Sequence, residues 1–296
     1  MTSALVGILG GSGLYQMDAL ENPQQHHIQT PFGAPSDVLV TGEVHGVPVV
    51  FLARHGRGHR LLPSEVPYRA NLYAMKELGV QYVLSVSAVG SLREDYKPLH
   101  MVLPDQFIDL TKRRETSFFG QGAVAHVSMA QPVCPAAAAA LARAVRSVLA
   151  QDPNTESDGV QLHTGGIYVC IEGPQFSSLA ESRWYRSMGA GVIGMTNMPE
   201  AKLALEAQMA YTTLAMVTDF DCWHPREAHV NANMALANLL KNAGRAQQIV
   251  AEAIRLLGTE RPVSEAHTAL QNALVTQPDA MAPDVRARLA ALLPIS

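Results

Sequence analysis

Two carboxylates, Asp219 and Asp221, follow the apolar run from Tyr211 to Val217. In an extended chain, positions i and i+2 face the same way, so a strand ending here delivers both acids to one edge. Open α/β sheets bind ligands at the carboxyl ends of their strands. Two acids there can accept hydrogen bonds from an amino group, or one can hold a proton and release it. A helix cap followed by a solvated loop acid uses the same residue types, so spacing alone leaves both readings open.

The pattern recurs at other strand ends. Residues 4–9 read as a buried strand and run into Gly10-Gly11-Ser12-Gly13, where bare backbone N–H groups and a hydroxyl suit an anion. This run is neither GxGxxG nor the P-loop pattern, so the nucleotide-cofactor motifs do not apply. Asp37–Thr41 and Val47–Ala53 predict a hairpin turning at His45-Gly46. The second strand ends in Arg54-His55-Gly56-Arg57-Gly58-His59-Arg60. A guanidinium offers a planar fork of donors for phosphate, and an imidazole adds a donor or proton carrier. Val80–Val86 predicts a further strand, closed by a turn of small residues from Ser87 to Ser91. Taken singly, each of these segments is also an ordinary turn.

The elements that must position these groups alternate along the chain. Helices are expected from Pro67 to Leu78, with Gly79 as a stop, from Pro135 to Ala150, from Leu179 to Met188 and from Pro199 onward. A last long helix is expected from Ala232 to Leu257, with Leu236, Leu239, Leu240, Ala243, Ile249, Val250 and Ile254 as one apolar stripe. Val160–Ile171 reads as one long or bent strand leading to Phe176 and Ser177, and Phe176 can stack on a planar ring or pack in the core. Met101–Leu110 suggests strand, Lys112-Arg113-Arg114 a solvated basic turn, and 113–122 a loop. His126 lies in a segment with little periodicity, where a structural role competes with a catalytic one. The fold class implied is α/β, a single domain of doubly wound character with one cleft along its strand ends.

Composition excludes several function classes. The chain has 296 residues, 48% of them hydrophobic, and a net charge of −4, so no basic surface marks a nucleic-acid partner. Three widely spaced cysteines, Cys134, Cys170 and Cys222, argue against a disulfide scaffold or structural zinc and for a reducing compartment. No signal peptide is evident and no apolar stretch approaches the ~20 residues that span a bilayer, so a soluble, cytoplasmic protein is expected.

Taken together in order and spacing, Gly10-Gly-Ser-Gly13, Thr30-Pro-Phe-Gly33, Arg54-His-Gly56, Gly90-Ser-Leu-Arg-Glu94, Asp105-Gln-Phe-Ile-Asp109, Glu172-Gly-Pro174, Gly194-Met-Thr196 and Thr218-Asp-Phe-Asp-Cys-Trp223 form a specific set. The chain resembles the 5′-methylthioadenosine phosphorylases of the trimeric purine nucleoside phosphorylase family over roughly residues 4 to 257. The resemblance implies a mixed central β-sheet flanked by helices, with a phosphorylase domain over 1–258 and a helical extension of the same domain over 259–296. It implies phosphorolysis of methylthioadenosine to adenine and 5-methylthioribose 1-phosphate, with phosphate as co-substrate and neither metal nor organic cofactor. It also implies a homotrimer, or a dimer of trimers, in which a neighbouring subunit closes each site.

Carried over by position, the resemblance assigns Ser12, Arg54, His55, Ser87, Ala88 and Thr196 to phosphate and Met195 to the ribose. Phe176 and Ser177 line the base pocket, Asp219 and Asp221 read the base and form the catalytic pair, and His126 is lent to the next subunit's 5′-thio pocket. Ser12 and Ser87 stand where the family usually has Thr, and the hydroxyl is kept. Ala232 and Ala235 stand where members often carry Val, in the helix expected to line the 5′-substituent pocket, which widens the range of 5′-substituents to adenosine and other 5′-thio adenosines. A carboxylate accepts from a 6-amino group but opposes a 6-oxo group, and a mismatch of that kind costs roughly 1–3 kcal/mol. Asp219, where inosine-type members resemble Asn, therefore predicts adenine. The competing readings are a methylthioinosine or general purine nucleoside phosphorylase, and a nucleoside-binding protein without catalysis. A dinucleotide-dependent oxidoreductase is disfavoured by the missing GxGxxG.

Overall fold

The computed structural model describes residues 4–11, 17–227 and 229–293. Four strands, β1 (Val6–Gly10), β4 (Val47–Ala53), β5 (Tyr82–Ser91) and β11 (Ala210–Asp219), lie in the order β4-β1-β5-β11 and run parallel. Their carboxyl ends therefore share one edge, where Arg54-His55 and Asp219 stand. β11 is buried along its whole length. Its apolar side chains alternate between two cores: Ala210, Leu214 and Met216 face α2 (Pro135–Gln151) and α5 (Ala232–Glu260), while Tyr211, Ala215 and Val217 face α1 (Tyr68–Glu77) and α4 (Asn197–Glu206). This is the double covering that forces parallel strands to be apolar on both faces.

The rest of the sheet makes it mixed. β3 (Leu39–Val44) pairs antiparallel with β4 through the expected turn at His45-Gly46, and β2 (Glu21–His26) adds an exposed edge. β10 (Ala190–Gly194) pairs antiparallel with β5 and parallel with β9 (Ile167–Cys170), which pairs with β7 (Gln106–Asp109). β6 (Met101–Leu103) joins β11 to β8 (Leu162–Thr164). Among the described residues these eleven strands form one sheet.

Three expectations need correction. The small residues Ser87–Ser91 form no turn: they continue β5, because β11 pairs alongside from Tyr82 to Gly90 and satisfies their backbone. The single strand expected over Val160–Ile171 is two, divided at Gly165 and Gly166 with φ of 80° and 106°, which lets β8 and β9 take different partners. The apolar stripe of α5 is buried at Ile249, Val250 and Ile254, but Leu236 and Leu240 are 47% and 57% exposed. The first turns of that helix leave the core and overhang the strand ends. The tail returns to the core, where Leu270, Ala273, Met281, Val285, Leu289 and Leu292 pack with Tyr73, Phe118 and Met209. α3 (Leu179–Ser187) begins at a reciprocal cap between Ser178 and Glu181.

Candidate active site

One edge of β5 changes partner partway along. β1 pairs with it as far as Ser85, and β10 takes over at Gly90 and Ser91. The intervening residues 86–89 face neither strand on that edge, and a cavity of about 240 Å3 opens beside them. Because β10 runs antiparallel to β5, the chain beyond Ile193 heads back alongside it, carrying Met195 and Thr196 toward Ala88 and Ser87. The cavity is lined by nine of the expected residues: His55, Ala88, Phe176, Ser177, Met195, Thr196, Asp219, Asp221 and Ala235. A larger groove, about 780 Å3, lies between residues 128–136 and 263–272 but gathers none of them.

Asp219 is the last residue of β11 and is 4% exposed. Burial raises its pKa to about 6, although the Thr218 hydroxyl donates to Oδ2 at 2.6 Å and the Asp221 amide donates to Oδ1 at 2.8 Å. Asp221 does not extend the strand. It sits at φ 51°, a left-handed turn that Asp tolerates, and its amide folds back onto Asp219. Both acids still line the cavity, through a turn and not through strand alternation. Burial raises the pKa of Asp221 as well, against the nearby hydroxyls of Ser182 and Ser177, although Oδ2 closes no hydrogen bond of standard geometry. Ser177 Oγ is likewise buried, facing the Asp221 carboxylate. Phe176 is 45% exposed at the cavity and takes no part in the core.

The guanidinium of Arg54 is turned inward. It is 1% exposed, pairs with Glu200, and donates to Val86 O and Leu9 O at 3.1 Å and to Ser85 Oγ at 2.7 Å. Burial opposes its charge, but Glu200 outweighs that and holds it protonated. Glu200 is held in turn by Ser85 Oγ and Tyr211 Oη. Arg54 is thus seated directly behind β5 and does not line the cavity. His55 next to it does, with Nδ1 2.9 Å from Leu61 O. Burial, then the nearby Arg54 charge, lowers its pKa to about 3, so the ring is neutral, Nδ1–H donates to the carbonyl, and Nε2 is left as an acceptor. His59 stacks on it at 4.3 Å and also lines the cavity.

The remaining expected residues lie elsewhere. Ser87 is buried in β5 with its Oγ near the Tyr168 hydroxyl, and it does not line the cavity. Ala232, at the first turn of α5, is exposed and does not line the cavity, whereas Ala235 does. His126 is exposed on a loop whose backbone bonds to Ala273 O. Ser12 lies outside the described residues. Among the described residues no group of His, Cys, Asp or Glu side chains is arranged to hold a metal ion.

Arg114 is the clearest residue that sequence reasoning missed. The solvated turn expected at Lys112-Arg113-Arg114 holds for the first two and fails at the third, whose side chain is 1% exposed. It donates to Met195 O at 2.7 Å, Met198 O at 2.6 Å, Glu172 O at 2.8 Å and Tyr68 Oη at 3.1 Å. One fork thus ties the chain leaving β9 to the chain leaving β10. Burial disfavours the Glu172 carboxylate, but Ser64, the amides of Lys112 and Arg113, and Arg114 overcome this and hold its pKa at about 2.

A sequence model of the phosphorylase superfamily matches residues 5–255. The chain belongs to this superfamily. It is 54% identical over 293 residues, 99% of its own length and 88% of the other's, to an S-methyl-5′-thioadenosine phosphorylase from Synechocystis. To one from Chloroflexus aurantiacus it is 51% identical, over 98% of this chain and 97% of that one. Its fold superposes with a TM-score of 0.93 and 60% identity on the crystal structure of a methylthioadenosine phosphorylase from an Antarctic soil metagenomic library, covering 99% and 100% of the two chains. A mutant adenosine/methylthioadenosine phosphorylase from Schistosoma mansoni, in complex with adenine, superposes with a TM-score of 0.85 at 35% identity, covering 93% and 100%. A phosphorylase must hold an anion and a glycoside in one dry cleft, and here a hydroxyl-lined corner and a buried acid share one cavity.

Proposed function

We propose that this phosphorylase cleaves S-methyl-5′-thioadenosine with inorganic phosphate, giving adenine and 5-methylthioribose 1-phosphate. The observation that carries the reading is Asp219, a carboxyl buried at a strand end in the cavity with a pKa raised to about 6. Breaking the N-glycosidic bond builds positive charge on the sugar and negative charge on the base. An acid whose pKa is raised toward neutrality can take up a proton and give it to N7 as the bond breaks. Phosphate held at Ser87, Ala88 and Thr196 stabilises the sugar cation and then attacks it; fixing the nucleophile in this way contributes up to roughly 7–11 kcal/mol. Neutral His55 accepts a hydrogen bond through Nε2, which suits a protonated phosphate oxygen. Arg54 supplies its charge from behind β5, with its donors already spent on Glu200 and the backbone.

Asp221, at the cavity with Oδ2 buried, can accept from the 6-amino group of adenine through a carboxylate lone pair. Met195 lies beside the ribose, Phe176 and Ser177 face the base, and Ala235 leaves room at the 5′-substituent. The reaction uses no metal and no organic cofactor. The assembly proposed is a homotrimer, in which exposed His126 is lent to a neighbouring site, and the setting is the cytoplasm. Residues 259–293, whose apolar side chains join the main core, are proposed as an extension of the one phosphorylase domain.

The test is base release from a panel of nucleosides with and without phosphate. Adenine release from methylthioadenosine that requires phosphate is expected. Release that ignores phosphate, or faster release of hypoxanthine from methylthioinosine, would overturn the proposal.

A further inference from the structure

We infer that Tyr168 is an additional phosphate ligand of this site, one that reaches it from within the sheet; the inference rests on the phosphorolytic reading above. Tyr168 lies in β9 opposite Val192 of β10, and its ring packs edge-on against Phe107 at 5.7 Å. Its hydroxyl crosses over Gly194, the last residue of β10: a Cβ there would stand 1.9 Å from the Tyr168 oxygen. The glycine is therefore required for the hydroxyl to occupy that place.

Tyr168 is fully buried, and its hydroxyl turns toward Thr196 and the Ser87 hydroxyl without closing a hydrogen bond of standard geometry to either. It approaches Ser87 and Thr196, the two hydroxyl residues of the proposed phosphate corner. Ser87 Oγ is also buried and closes no bond of standard geometry, and Nδ2 of Asn197, the residue next to Thr196, is buried without a partner. Buried polar groups in folded proteins are nearly always paired. Two hydroxyls that meet without closing a standard hydrogen bond, with an unpartnered amide on the residue after Thr196, call for a ligand rich in acceptors. Glu200, behind β5, is already taken up by Arg54, Ser85 and Tyr211, so the corner presents hydroxyls toward an oxyanion. Burial keeps the phenol protonated throughout the neutral range, so it donates an O–H···O⁻ bond of the short, charge-assisted kind. A ribose hydroxyl would leave the amide and the serine unanswered.

The experiment is Tyr168→Phe, which removes one oxygen and leaves the ring. The KM for phosphate is expected to rise roughly tenfold or more, the usual worth of a hydrogen bond to a charged group, with the KM for the nucleoside within twofold of the parent. Thermal unfolding without phosphate should show the variant as stable as the parent or more so, since a buried hydroxyl that closes no standard hydrogen bond has been deleted. With phosphate added, the parent should gain stability at about tenfold lower concentration than the variant, by the same estimate. A structural role would lower the unfolding temperature without phosphate and leave phosphate dependence alone. An unchanged phosphate KM, or a rise confined to the nucleoside KM, would overturn the inference. If the parent shows no phosphate-dependent turnover, the phosphorolytic reading fails by itself. The phosphate-induced stabilisation then still decides: equal stabilisation of parent and variant, or none of either, removes Tyr168 from an anion site.

Discussion

An ionised Asp219 is a burden on this fold, because a carboxylate 4% exposed has lost most of its water. The rise in its pKa from 3.8 to about 6 corresponds to roughly 3 kcal/mol between the two protonation states. The direction of the pH effect follows. Between pH 4 and 6 the folded chain binds a proton here more tightly than the unfolded chain, so stability falls as pH rises through that window and is then level. Asp219→Asn carries no such charge. Its stability relative to the parent is expected to grow from nothing near pH 4 to as much as about 3 kcal/mol above pH 6, read from urea unfolding of both proteins across pH. Over the same range the variant should release adenine at least about a hundredfold more slowly, having lost its proton donor, and should shift its preference toward 6-oxo bases. A stability difference that does not change with pH would show that Asp219 is not held protonated by burial. Stability and chemistry thus pull in opposite directions at this residue.

Among the elements, what could be read from the chain was whatever periodicity reports directly. The apolar runs ending at Gly10, Ala53 and Asp219 are strands, and those ends lie on one edge of the sheet. Contacts between distant segments left no such trace. β2 reads Glu-Asn-Pro-Gln-Gln-His and exists because β3 offers it an edge. Glu200 meets Arg54 across 146 positions. Arg114 is buried because the chain at Tyr68, Glu172 and Met195 converges on it, and a short basic run in a loop looks the same whether or not that happens. The convergence has a measurable consequence. Arg114→Ala leaves those buried carbonyls without donors and is expected to lose about 3 kcal/mol or more of stability, with a raised KM for the nucleoside because Met195 loses its anchor. Arg114→Lys keeps the charge without the planar fork and should recover less than half of that loss. The check is the urea midpoint at constant m-value; a loss below about 1 kcal/mol would mean that water replaces the guanidinium.

For the whole molecule the open variable is how many copies make a site. The 240 Å3 cavity is lined by β4, β5, β10 and β11 ends together with the overhanging first turns of α5, where Leu236 and Leu240 leave apolar surface uncovered beside it. His126 stands exposed on a different stretch of the same chain, and it does not line that cavity. If each site is completed by a neighbour, two defects placed on different chains must compensate. His126→Ala keeps its own acid but lends nothing; Asp219→Asn lends His126 but lacks the acid. Each variant alone is expected to be impaired with methylthioadenosine at limiting concentration. Co-expressed in equal amounts in a randomly mixed trimer, about half of the intact acids acquire a neighbour that still carries His126. Activity per intact acid should then climb to roughly midway between His126→Ala and the parent, by the logic of a heterologous interface that presents one surface to a different one. Light scattering on the same preparation would give the number of chains. Activity equal to the plain average of the two separate variants would mean that His126 serves its own chain or none, and that every site here is complete within one copy.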